Sequence, residues 1–188
     1  MNLFITSSRG VYQYNIENDN ICKIIGNWHK GFLKFPSKGF FGSCLNYKNN
    51  EMVFASRENF TKTDYEKSSD AIIHFYDFVD NSITNKRIIK NLYDVHQIIS
   101  YENFIFITET GKNRVQILNI ETGSIQCYIE VGKIRNDINH INAINIDNNY
   151  LFIGLNNGHT INSFKNAQLI KIPIHEILKM KTIDALEV

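Results

Sequence analysis

The sequence predicts an all-β protein assembled from a four-stranded unit that recurs about every 46 residues. Three observations predict it. Apolar and polar residues alternate over short runs, the period of a half-buried strand. Asn, Asp and Gly punctuate those runs where tight turns would fall. The same strand–turn–strand pattern then returns along the chain, the mark of a repeat architecture.

The first element is the pair Leu3–Thr6 and Val11–Ile16, followed by a polar turn and a strand opening at Ile21. Residues 11–21 align without gaps on residues 73–83 and on residues 115–125. Each copy reads as a strand, an Asn or Asp (Asn15, Asp77, Asn119), one more apolar residue, a short polar turn and an Ile. Asn and Asp bond their own backbone and tolerate left-handed conformations, so this is hairpin chemistry. A further strand precedes each copy: Leu3–Thr6, Met52–Ser56 and Phe104–Thr108. Tyr150–Gly154 repeats the last of these at a spacing of 46. Still earlier strands are predicted at Cys44–Tyr47, His96–Ser100 and Asn142–Ile146.

The chain therefore begins on the second strand of a unit, runs through two full units, and continues into a fourth from Asn142 to about Ile172. In that fourth unit Thr160–Phe164 and Gln168–Ile172 fit the outer strands poorly. Two readings of the tail stand. It ends in the inner strand that the first unit lacks, closing the open edge; or it is helical, since Ile174, Ile177 and Leu178 fall at helical spacing. The whole chain, 1–188, is read as one domain.

Four strands in about 46 residues is the size of a propeller blade. The pattern resembles the β-propeller superfamily, and Asn119-Ile120-Glu121-Thr122-Gly123 resembles the outer turn of quinoprotein-like and NHL-like blades. The resemblance covers most of the chain and is generic, with no Trp-Asp dipeptide or Kelch glycine pair. It implies about four four-stranded blades, either a small closed propeller or a half-propeller that pairs with a second copy.

Composition narrows the function classes. There are 30 Ile and 25 Asn, suited to strands and to the turns between them. Net charge is +1, and the most basic stretch, Lys86-Arg87-Ile88-Ile89-Lys90, reads as a solvated edge strand, so no nucleic-acid partner is expected. Cys22, Cys44 and Cys127 are odd in number and widely spaced, the pattern of free thiols in a reducing compartment. No apolar run approaches the roughly 18 residues of a membrane span, and no basic leader opens the chain. The expectation is a cytoplasmic protein without a membrane partner.

The loops that lead into the inner strands of a propeller gather on one face, usually the binding face. Three are predicted: Asn27 to Phe32 running on to Cys44, Asn91 to His96, and Asn136 to Asn142. The spacing of 46 aligns Asp94 with His140 and His96 with Asn142. Equivalent polar side chains in consecutive units are placed to converge, where an imidazole can take a ligand or move a proton near neutral pH. Trp28 beside His29 offers a stacking platform for a ring. The candidate ligand contacts are Trp28, His29, Asp94, His96, His140 and Asn142. His74 is expected to be solvated on an outer strand, and Arg57 to Asp70 is a long polar insertion suited to a partner contact.

No G-x-S-x-G, P-loop, G-x-G-x-x-G or H-E-x-x-H occurs, and the residues assign no metal or cofactor. The leading expectation is a non-enzymatic binding or interaction module whose partner is a protein or a small molecule or glycan. A propeller enzyme (hydrolase, lyase or transferase) using His96 or His140 as acid/base, or in a metal site at the channel mouth, is the competing class. A repeat subunit that forms a homo-oligomer through open edges is the third.

Overall fold

The computed structural model describes residues 1–7, 10–26, 39–57, 69–131, 140–156, 167–179 and 182–184. The first sheet is β1 (Asn2–Ser7), β2 (Gly10–Asn15) and β3 (Asn20–Gly26), antiparallel in that order. The second is β4 (Gly39–Asn46), β5 (Glu51–Arg57), β6 (Ser69–Asp77) and β7 (Ser82–Leu92). The third is β8 (Val95–Tyr101), β9 (Phe104–Glu109), β10 (Arg114–Asn119) and β11 (Ile125–Glu130). The fourth is β12 (Ile141–Asp147), β13 (Tyr150–Leu155) and β14 (Gln168–Pro173). Four antiparallel blade-like sheets in chain order are a β-propeller-like arrangement.

The repeat turns form as the spacing predicts. Asn15 Oδ1 accepts the amide of Glu17, Asp77 Oδ1 that of Val79 and Asn119 Oδ1 that of Thr122, at 2.9, 2.6 and 3.0 Å. Four residues after each of them the backbone turns left-handed, at Asp19, Asn81 and Gly123. Those three positions hold residue types that accept a positive φ.

Each pair of neighbouring sheets encloses its own core. Val11, Phe40, Phe54 and Tyr76, with Phe4 and Phe78 packed on them, fill the space between the first two. Ile73, Phe75, Ile98 and Ile107 lie between the second and third, and Ile117, Ile129, Leu151 and Ile153 between the third and fourth. The inner strands meet directly: β4 packs on β8, and β8 on β12. Gly42 permits the first approach, because a Cβ there would stand 2.9 Å from the Ile98 backbone nitrogen. Among the described residues, no packing of comparable extent joins the fourth sheet to the first.

Among the described residues the first and fourth sheets have three strands, the first because the chain enters its unit on the second strand, as the sequence predicts. The structure corrects two expectations. Gln168–Pro173, a poor fit by pattern, pairs regularly with β13 from Tyr150↔Pro173 to Leu155↔Gln168, while Thr160–Phe164 lies outside the described residues. The tail does not complete the first sheet. It forms the short helix α1 (Ile174–Ile177) and then β15 (Thr182–Asp184), which runs parallel to β11 on the outer edge of the third sheet. Burial explains this route: Ile174 and Ile177 are apolar and sink into the core between the third and fourth sheets.

Candidate functional site

The site is built where β8 and β12 begin. Asp94 and His140 each sit one residue before their strand, and both have left-handed backbones (φ 53° and 42°). That shared conformation is structural equivalence at the spacing of 46 read from the sequence. Immediately afterwards both strands bulge. The β8 register slips between Val95 and Ile98, and the β12 register between Ile141 and Ala143. β4 slips at the same end, between Phe40 and Gly42. A bulge adds a residue, bends the strand and re-aims a side chain, and bulges are frequent beside binding sites.

On β8 the bulge is held by one hydroxyl. Thr108 Oγ1 accepts the amides of His96 (3.2 Å) and Gln97 (2.8 Å) and donates to the Gln97 carbonyl. His96 is thereby directed toward Asp94, and its Nε2 lies 2.9 Å from Asp94 Oδ2. The Asp94 side chain is nearly buried (4% exposed), whereas that of His96 is 32% exposed. The imidazole thus presents one edge to a buried carboxylate and part of its surface to solvent. His140 joins from the next sheet, with its ring centroid 5.5 Å from that of His96 and the planes at 67°. Gln97 ties the starts of β8 and β12 together, its Oε1 accepting the Ile144 amide at 2.9 Å.

Of the six sequence candidates, the structure brings together Asp94, His96 and His140. Asn142 occupies the bulge of β12 as an exposed residue. Trp28 and His29 lie outside the described residues, as do residues 58–68 of the polar insertion. Among the described residues no group of three or more His, Cys, Asp or Glu side chains is arranged to hold a metal ion. His74 is a correction: it is 4% exposed on β6, its Nε2 2.9 Å from Ser56 Oγ and its ring 5.7 Å from that of Phe40. His74 shares its face of β6 with Tyr76, which packs into the core between the first two sheets, so alternation did not put His74 in water.

Sequence reasoning missed Glu109, which is fully buried behind the Asn91–His96 loop. Its Oε1 accepts the Tyr93 amide at 3.1 Å and lies 3.5 Å from Lys112 Nζ, while Oε2 takes Arg114 Nε and Gln116 Nε2. It fixes the turn that carries Asp94. The only signal was its alignment with Leu155 in the next unit, a charge where the repeat has an apolar residue.

No family model and no curated protein matches the chain. Solved structures do. Sqt1 of Saccharomyces cerevisiae matches with a TM-score of 0.52 at 12% identity, over 82% of this chain and 38% of that one. A chain of a nidogen/laminin complex matches at 0.45 and 10% over 69% of this chain and 43% of that one. U3-55K matches at 0.45 and 10% over 96% and 59%. These are β-propellers, and the Sqt1 likeness supports that fold for this chain. The chain spans about two fifths of the length of the first two. Among the described residues no helix is long and apolar enough to cross a membrane.

Proposed function

We propose that this chain is a binding or interaction module whose contact face is the end where the inner strands begin. One observation carries the reading: side chains from the starts of two adjacent sheets, Asp94 with His96 and His96 with His140, meet where their strands bulge. A platform of rigid strands presenting partly exposed polar groups suits recognition of a protein partner, with a small molecule or glycan as the narrower case. Trp28, His29 and Asn142 extend the same face in this reading.

The test is a quantitative comparison of partners retained by immobilised wild-type chain and by the His96→Ala/His140→Asn double variant. Retention that falls for a defined partner, with the melting temperature held, supports the reading. Equal retention of every partner by both proteins overturns it.

The Asp94–His96 hydrogen bond favours one second reading, an acid/base enzyme. A carboxylate that orients an imidazole is the geometry of a general base. Turnover of an ester or glycoside panel that disappears in His96→Ala would select this reading over the first.

A further inference from the structure

A second recess lies away from that face, between the outer edge of the second sheet and the flank of the third. It has a volume of about 350 Å³, the lower end of the range for small-molecule sites. Its wall is one face of β10, where Arg114, Gln116 and Leu118 alternate and so point the same way, with Lys112 added from the turn before it. The wall grades from two cations through an amide to a buried Leu118. Ile89, Ile125 and Leu118 make an apolar floor, and Lys90 and Ile88 stand at the rim on β7.

The charge in this recess has one sign. Lys90, Lys112 and Arg114 line it, and no Asp or Glu does. Glu109 partly balances Lys112 and Arg114 from behind, and Asp70 pairs with Lys90 on the outside. That leaves an excess positive charge. Arg114 meets Glu109 through Nε and lies over the Tyr128 ring at 4.4 Å, so its terminal fork is left for a ligand. Arg87 adds a fourth cation beside the opening. Its guanidinium packs against Gly123, which lines the recess, and its buried Nε has no hydrogen-bond partner among the described residues. Ile88 is 60% exposed at the rim, an apolar side chain a ligand would cover.

We propose that this recess binds a small amphipathic anion, a carboxylate head on a short apolar body. The head meets Arg114 and Lys112, and the body lies over Leu118, Ile125 and Ile88. An inorganic anion would use only the wall, and a neutral hydrocarbon only the floor; both parts are needed here.

Hexanoate is the probe, with 1-hexanol and inorganic phosphate for comparison, titrated into the full chain by calorimetry or amide chemical shifts. Hexanoate should bind saturably, about tenfold or more tighter than either comparison compound, the worth of one charge-assisted hydrogen bond. Ile88→Glu replaces an apolar contact of the ligand's body with a carboxylate at the exposed rim and leaves the ion pairs of Lys112 and Arg114 in place. It should weaken hexanoate by about tenfold while the melting temperature holds. Arg114→Gln combined with Glu109→Gln removes the guanidinium that meets the head together with the carboxylate it pairs with, and should weaken hexanoate by about tenfold or more. If that pair fails to fold, Lys90→Glu, also at the exposed rim, replaces it with the Ile88→Glu expectation. No saturable hexanoate binding, equal binding of 1-hexanol or phosphate, or indifference to Ile88→Glu overturns the proposal.

Discussion

His96 and His140 come from different sheets, yet their rings stand 5.5 Å apart at 67°. The contact depends on backbone more than on side-chain reach, because His140 holds a φ of 42° one residue before β12. For an L-residue other than Gly, Asn or Asp that conformation costs about 1–2 kcal/mol. His140→Ala keeps that strain. His140→Gly should melt higher than His140→Ala by the strain released, a difference of about 1 kcal/mol in denaturant titrations. Equal stability of the two variants would show that the left-handed turn relaxes on substitution.

The Asp94–His96 pair makes a sharper prediction. The carboxylate is 4% exposed and lies 2.9 Å from the imidazole, so the two residues should be energetically coupled. A double-mutant cycle with Asp94→Asn and His96→Ala should return a coupling of about 0.5–3 kcal/mol. Asn is chosen because Asp94 also has a left-handed backbone, which Asn tolerates and Ala does not. Additive effects in urea unfolding would reduce the pair to proximity without interaction.

How much of this was legible follows from what each feature depends on. The turns at Asn15, Asp77 and Asn119 are local chemistry, written in the residues that form them, and they appear where the alignment put them. Asp94 with His140 was readable for the same reason: equivalence in a repeat becomes equivalence in space. The bulges were not readable, because a register slip arises from how β8 pairs with β9 through Thr108, a contact between distant residues. His74 and Glu109 were missed alike, since a polar residue's burial depends on the partners packing brings. Of the two readings of the tail, the helical one holds at Ile174–Ile177, and the closing strand of the other is replaced by Thr182–Asp184 on a different edge. Local pattern does not say which edge a strand will join.

Glu109 holds the charge of Arg114 and Lys112 in a site with no solvent exposure of its own side chain. Removing one member of such a set leaves the others uncompensated, at about 3–5 kcal/mol. Glu109→Ala should lose stability in that range, and Glu109→Gln should lose less because it keeps its volume and an acceptor for the Tyr93 amide. Chemical denaturation of the two variants tests the order. A reversed order would assign the group's role to packing alone.

Alkaline stability should follow Cys44. Burial pushes its thiol from 9.0 up to about 12, outweighing the opposing hydrogen bond from Ser100. The folded thiol thus stays neutral where the unfolded one ionises. Stability is complete below about pH 9 and is lost as the pH rises from there toward about 12. Cys127, raised to about 11 by burial, acts in the same direction. Cys44→Ala should flatten the fall of melting temperature between about pH 8.5 and about pH 10.5 relative to wild type, a window that opens at the ordinary thiol value of about 8.5–9. Parallel curves for the two proteins would mean that other groups dominate alkaline unfolding.

The tail supplies the last prediction. Ile174 and Ile177 are 2% and 0% exposed, and Cys127 Sγ lies 3.5 Å from the Ile177 carbonyl oxygen. The helix therefore caps the core between the third and fourth sheets, although the strand after it only extends an edge. Truncation after Pro173 removes two fully buried side chains, worth about 1.5–3 kcal/mol each. For a domain of this size that lowers the melting temperature by about 6 to 24 °C. Truncation after Lys179 keeps both isoleucines and, of the described residues, removes only β15, so the melting temperature should change little. It also uncovers the β11 edge, and an open strand edge is a template for association. Light scattering should then show a concentration-dependent rise in mass for the shorter deletion that the intact chain lacks. If instead the two truncations destabilise equally, β15 and not the helix anchors the tail, and the core contacts of Ile174 and Ile177 are secondary.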